Sequence, residues 1–234
     1  NPPRNTFLNS SGNPNLEFCL ATTDPNGNPT NGITRTATTQ TNWDADDDGY
    51  WWGGSVGEAN AMKLSSEGGI DSWNSEKYLN IWICDLTNSQ SGGMTLGYAY
   101  LPGLPSNQKW KDGLVVDFQF FGTIQGASGD SRTATHEIGH YLGLNHTFCE
   151  SQSGGCCDND DNNVDDTPLC YNSNNGGPYF GPVTSSTNNN TCNDIGQGFS
   201  SDLLDMDENF MAYSQNTWMF SHDQVNAMNA TLNG

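Results

Sequence analysis

His136, Glu137, His140, Gly143 and His146 fall within one run, HEIGHYLGLNH, which holds three of the chain's four histidines. If residues 132–142 are helical, His136 and His140 lie one turn apart and project from the same face. Gly143 can take a backbone conformation closed to other residues and turn the chain there. That turn brings His146 round toward the same point. Three neutral imidazoles with a fourth position left open for water are the donor set of a catalytic zinc. Closed structural sites use four protein ligands and favour cysteine. Glu137, beside the first ligand, is placed to reach that water as a general base. A bare HExxH also occurs on helices whose histidines face solvent or core, and Gly143 with His146 is what lifts this run above that reading.

A second element lies downstream. Asn209-Phe210-Met211-Ala212-Tyr213 places a methionine 65 residues past His146, at a spacing compatible with a methionine turn beneath the metal. A lone methionine near a tyrosine is otherwise core packing. Tyr213 is a candidate hydrogen-bond donor to the oxyanion of a tetrahedral intermediate, with a plain core tyrosine as the alternative. The extended histidine run followed by a methionine turn is the signature of the metzincin zinc proteases.

The elements that must position these residues can be read coarsely. The first fifteen residues, rich in Asn and Pro, read as an irregular arm. Leu16 to Ala21 (LEFCLA) fits a short strand, and DPNGNPTNG from Asp24 to Gly32 is dense turn chemistry. Tyr78 to Leu86 (YLNIWICDL) reads as a buried strand, with two more from Leu96 to Leu101 and from Leu114 to Phe121. Asp130 or Ser131 can cap the helix that carries the metal ligands. After Thr147 some fifty residues of Gly, Asn, Asp and Cys show little apolar periodicity and need disulfides or metal to hold them. A last helix is predicted from His222 to Leu232. The expectation is an α+β catalytic domain of 234 residues. Its upper subdomain, 1–143, has a mixed twisted sheet and the zinc-ligand helix. Its lower subdomain, 144–234, is irregular and stabilised by disulfides and calcium, and the cleft lies between the two.

The net charge of -20, from 27 acids against seven Lys and Arg, opposes binding to nucleic acid phosphates. No run of 18 apolar residues occurs, so no membrane span is expected. No signal peptide opens the chain, so a processed, secreted form is expected. Seven cysteines fit an oxidising compartment. Cys156 and Cys157 are neighbours, with Cα atoms about 3.8 Å apart. An ordinary bridge spans about 4.4–6.8 Å, so the two are expected to pair with different partners. Cys19 and Cys84 read as a bridge or as two buried thiols. Two acidic clusters are candidate calcium sites. Asp44 to Gly49 resembles the start of an EF-hand loop, but Ser55 stands where its final Glu belongs. It reads equally as a solvated turn. Asp158, Asp160, Asp166 and Thr167 lie among the cysteines, where oxygen ligands on a disulfide-held loop suit calcium.

From Leu16 onward the chain resembles the pappalysin family of metzincins, of the cytophagalysin and ulilysin branch. The resemblance rests on LEFCLA, DPNGNPTNGITRT, KLSSEGGIDSWNSEKYLNIWICDL, LGYAYLPG, DGLVVDFQFFG, the histidine run with HTF after it, VDDTP and NFMAYS, in that order. It implies a secreted endopeptidase, made with a pro-segment that blocks the zinc. It implies an edge strand that pairs with extended substrate along Gly97, Tyr98, Ala99 and Tyr100. It also implies calcium near Asp166-Thr167-Pro168, and a disulfide from Cys156 or Cys157 to Cys192. A monomer acting on protein or peptide is expected. The chain departs from the family in three places. The usual N-terminal strand and helix are absent before LEFCLA. Ala212 and Ser214 to Thr217 stand where acidic residues and Cys are common, so a preference for a basic residue after the scissile bond is not carried over. The segment DADDDGYWWGG matches no family block, and its Trp51 and Trp52 can form a local staple or a substrate platform.

The rival to an active protease is a catalytically silent, calcium-stabilised binding module derived from one. The intact Glu137 argues against it.

Overall fold

The structure is a computed structural model that describes residues 2–46, 58–89, 93–122, 132–149, 157, 164–171 and 179–234. In chain order its regular elements are β1 (Ser11–Gly12), β2 (Trp43–Asp44), α1 (Glu58–Ala61), β3 (Ile81–Cys84), β4 (Leu86–Thr87), β5 (Gly97–Ala99), β6 (Leu114–Asp117), α2 (Thr133–Tyr141), β7 (Phe220–Ser221) and α3 (His222–Asn233). The mixture of strands and helices is the expected α+β composition. The chain divides into two compact units, Leu16–Tyr141 and Asn1–Asn15 with Leu142–Gly234.

Leu16–Tyr141 is organised around a three-stranded sheet of order β3-β6-β5. β6 runs parallel to β3 and antiparallel to β5. Being central, β6 is buried along its whole length, which suits its run of β-branched Val115 and Val116. The helix α2 packs across β5 and β6. Trp43, Ala61, Met62, Trp82, Leu86 and Val115 form the core. β6 ends at Asp117, short of the predicted Phe121. The Asp117 carboxylate accepts from Gln119 N and Leu86 N, both at 2.8 Å, and a 3-10 turn follows from Phe118 to Phe120.

Two strand expectations need correction here. Leu16–Ala21 is not a strand: no described strand pairs with it, and Phe18 and Leu20 are exposed. Apolar composition alone does not supply the ladder partner that a strand requires. The Tyr78–Leu86 run does hold β3 and β4, but β3 is buried only on alternate residues, with Trp82 inside and Ile81 and Ile83 outside. The turn chemistry at Asp24–Gly32 is present: Asp24 Oδ1 accepts from the backbone of Asn26 and Asn28, and Gly27 and Gly32 have positive φ.

The other unit gives the first fifteen residues a definite place, against the irregular arm expected. Ser11 and Gly12 form an antiparallel ladder with Phe220 and Ser221. Phe7 is buried beside Met206 and Met219. The Arg4 side chain, 3% exposed, bonds Glu208 Oε2 at 2.9 Å, while its remaining nitrogens donate to the carbonyls of Thr187 and Asp205. Buried charge needs this degree of compensation. Among the described residues from Thr147 to Met219 no helix or strand is formed, only isolated bridges, as the Gly- and Asn-rich composition predicts. α3 begins with a capping box between Ser221 and Gln224.

Cys157 is bonded to Cys192, one of the two pairings that the family resemblance allowed. Cys149 is also disulfide-bonded. Cys19, exposed, and Cys84 are free thiols, so they neither form a bridge nor make a buried pair. Burial pushes the Cys84 thiol up to about 12, with Asp117 adding to the effect. No described helix is long and apolar enough to cross a membrane.

Candidate metal centre and active site

The helix α2 carries His136 and His140 one turn apart, with Nε2 atoms 3.2 Å from each other and ring planes at 83°. Two imidazoles on a tetrahedral zinc, with Zn–N bonds of about 2.0–2.1 Å, have nitrogens about 3.3 Å apart. The separation is that of two ligands to one ion. Gly143, at φ 95°, follows the helix in the left-handed region that a C-terminal cap requires. His146 lies just beyond it, and one ligand nitrogen from each of His136, His140 and His146 falls within 4.8 Å of the others. The donor set and its spacing fit zinc.

Glu137 is 4% exposed and sits on the same helix. Burial pushes its carboxyl up to about 8, opposed by a hydrogen bond from Ala99 N–H. Its Oε2 is buried without a hydrogen-bond partner. A buried carboxylate oxygen left open in this way is an acceptor in wait for a donor such as water. Gly97 makes this arrangement possible. A Cβ there would stand 3.2 Å from Glu137 Cγ, 3.0 Å from Thr133 Cγ2 and 2.8 Å from Val115 O. Only a glycine lets the strand come this close to the helix.

Among the described residues β5 is an edge strand. Leu96 O accepts from Asp117 N, so the ladder bonds fall on Leu96 and Tyr98. Gly97 and Ala99 therefore turn their N–H and C=O toward the open side, where Ala99 N–H meets Glu137. The Cβ direction of Gly97 faces α2, so the side chains of Tyr98 and Tyr100 lie on the opposite face of the sheet, where they contact Lys63.

Met211 is fully buried and Tyr213 is 43% exposed. The Tyr213 ring meets His146 edge-on at 4.8 Å, and Phe148 stacks on His146 at 4.5 Å. Phe180, exposed, lies 5.8 Å from Tyr213. Its loop is held by Asn216, whose amide bonds both N and O of Val183 at 2.9 Å. Phe180 carried no chemical signal in the sequence, whereas Phe148 lay in the HTF block and Asn216 in the stretch from Ser214 to Thr217 where the chain departs from the family.

The acidic residues are less gathered. Asp166 accepts from Ser221 Oγ at 2.5 Å and from Asp223 N at 2.9 Å, and Thr167 is buried. Asp158 and Asp160 lie outside the described residues, as do Asp130, Ser131, Trp51, Trp52 and the acidic run after Asp46. Asp44 Oδ1 accepts from the backbone of Asp46 and Ser89, the use a turn makes of an aspartate.

The peptidase M43 family model, described as pregnancy-associated plasma protein-A, matches residues 65–233. The chain belongs to the peptidase M43 family. The pappalysin resemblance in the sequence is thereby met. An extracellular metalloprotease of Arthroderma gypseum is 30% identical over 141 residues, covering 57% of this chain and 41% of that protein. One from Arthroderma otae is 34% identical over 139 residues, covering 56% and 44%. The chain thus spans well under half the length of these curated relatives. Among solved structures, mature mirolysin of Tannerella forsythia in complex with a cleaved peptide superposes with a TM-score of 0.73 at 34% identity, covering 97% of this chain and 74% of that one. A promirolysin mutant gives a TM-score of 0.76 at 32% identity, covering 97% and 66%. The fold is therefore that of mirolysin, metzincin-like.

Proposed function

We propose that the chain is the catalytic domain of a secreted zinc endopeptidase. The observation that carries this is the convergence of the His136, His140 and His146 nitrogens within 4.8 Å. Zinc held by His136, His140 and His146 would polarise a peptide carbonyl, acidify a water and favour the ionised form of Glu137. Glu137 accepts the proton of the attacking water through its open Oε2 and delivers it to the leaving amine. Ala99 N–H, bonded to that carboxylate, holds it in place through the proton transfer. The Tyr213 hydroxyl donates to the developing oxyanion. Its exposure and its ring contact with His146 support that role.

Extended substrate pairs along Gly97, Tyr98, Ala99 and Tyr100, as an added strand on β5. The edge position of β5 supports this, as does the cleaved peptide bound to mirolysin. A pro-segment that precedes the mature enzyme is supported by the existence of promirolysin. Secretion is supported by relatives named extracellular and by the Cys157–Cys192 disulfide. Calcium on Asp158, Asp160, Asp166 and Thr167 belongs to the same reading. Its support is an Asp166 carboxylate held in a fixed orientation.

The test is peptide hydrolysis by the purified chain before and after chelation, and after return of zinc. Glu137→Ala is expected to lower kcat by about 100-fold or more with zinc still near one per chain. A variant that keeps both metal and activity removes Glu137 from the mechanism. A wild-type chain that binds zinc and cleaves nothing returns the reading to the binding module.

A further inference from the structure

Lys63 is 0% exposed. Its Nζ donates to the Lys111 carbonyl at 2.8 Å and stands 5.1, 5.0 and 4.9 Å from the ring centroids of Trp82, Tyr98 and Tyr100. An ammonium is retained out of water only where carbonyls and aromatic faces replace its hydration. These rings are not scattered. Trp82 of β3 and Tyr98 of β5 are both register partners of Val115 in β6, from opposite sides. One ammonium thus spans a row that crosses the whole three-stranded sheet.

The same short segment grips the two tyrosines by their hydroxyls. Tyr98 Oη donates to the Ala59 carbonyl. Tyr100 Oη exchanges hydrogen bonds with the Asn60 amide at 2.8 and 3.0 Å. Lys111 Nζ approaches the Tyr100 ring to 4.6 Å. Residues 59–63 therefore hold the inner face of β5, while Gly97 and Ala99 between and beside the tyrosines present the outer edge. Any rotation of β5 about its axis moves the tyrosines and the Ala99 N–H together.

We propose that Lys63 is a positioning residue for peptide hydrolysis: its ammonium fixes the rotation and register of β5, and thereby the alignment of extended substrate and of Glu137. This rests on β5 being the strand that pairs with substrate. A neutral side chain of similar length would fill the same volume without binding three rings at once.

Lys63→Met and Lys63→Arg are compared with the wild-type chain, each loaded with zinc, on an eight-residue quenched fluorescent peptide and on a three-residue one. Amide exchange of residues 96–101 is followed by mass spectrometry. Lys63→Met is expected to lower the long-to-short ratio of kcat/KM by about tenfold, chiefly through KM on the long peptide. It is also expected to speed exchange across β5 by about tenfold, with Lys63→Arg restoring most of both. Unchanged kinetics and exchange, with only a lower melting temperature, would overturn the proposal. If Lys63→Met does not fold, Lys63→Gln, which keeps a donor for the Lys111 carbonyl without the charge, is read the same way. A wild-type enzyme with no preference for the longer peptide removes the substrate-pairing role of β5. The exchange rates then still decide whether Lys63 fixes the strand.

Discussion

The backbone N–H of Thr147 donates to the carbonyl of Met211 at 3.2 Å. This bond ties the residue after His146 to the methionine of NFMAY. The Met211 N–H is taken in turn by Asn209 Oδ1 at 2.8 Å, so the backbone of the turn is fixed independently of the thioether. Met211→Leu preserves volume and both bonds, and is expected to cost less than about 1.5 kcal/mol. Met211→Ala leaves a cavity and is expected to cost about 2–5 kcal/mol. Denaturant midpoints distinguish them, and a leucine variant as unstable as the alanine one would contradict a packing role.

Arg4 and Glu208 behave as a unit. Both are buried, and the pair adds a second bond from Arg4 N to Glu208 Oε1 at 2.9 Å. Arg4→Met alone strands a buried carboxylate and is expected to cost about 3–5 kcal/mol. Adding Glu208→Leu to it is expected to recover most of that loss. Equilibrium unfolding of the single and double variants checks this, and strictly additive losses would refute the pairing.

Asn216 combines a positive φ of 54° with its clamp on Val183. Asn216→Gly keeps the backbone and removes two hydrogen bonds, an expected loss of about 1–3 kcal/mol. Asn216→Ala loses the same bonds and adds left-handed strain of about 1–2 kcal/mol. Alanine should therefore be the less stable of the two by thermal melting. The reverse order would mean that the strain is relieved elsewhere.

Burial pushes the Asp207 carboxyl from its ordinary 3.8 up to about 6, a hydrogen bond from Asn189 notwithstanding. The folded chain thus holds this proton to higher pH than the unfolded chain does. Between those two values folding takes up a proton, and stability from this group falls as pH rises. Above about 6 the loss is complete. Asp207→Asn is expected to flatten the fall in melting temperature over that window and to gain most above it. Parallel pH profiles for the two proteins would show that Asp207 does not titrate there.

The metal site was legible because its ligands are close in sequence: a helix and one glycine bring together residues separated by ten positions. Met211 was legible by its motif alone. The strands at 81–84, 97–99 and 114–117 followed from β-branched and aromatic runs. What stayed hidden depends on contacts distant in sequence. Leu16–Ala21 has the composition of a strand and, among the described residues, no partner for a ladder. Arg4 in a Pro- and Asn-rich stretch gave no sign that Glu208 awaits it. Lys63 reads as a surface residue until Trp82, Tyr98 and Tyr100 are placed around it. Periodicity reports which face is apolar, and it cannot report which distant residue completes a buried charge.

The Arg4–Glu208 pair also bears on the order of assembly. Its partners are 204 residues apart. The contacts of Leu16–Tyr141 can form while synthesis continues. The first fifteen residues emerge earlier still, yet β1 needs β7 and Arg4 needs Glu208. They must wait, unsatisfied, until residues 208–221 have been made. A segment made before Leu16–Tyr141 therefore finds its place after it, once that long loop closes.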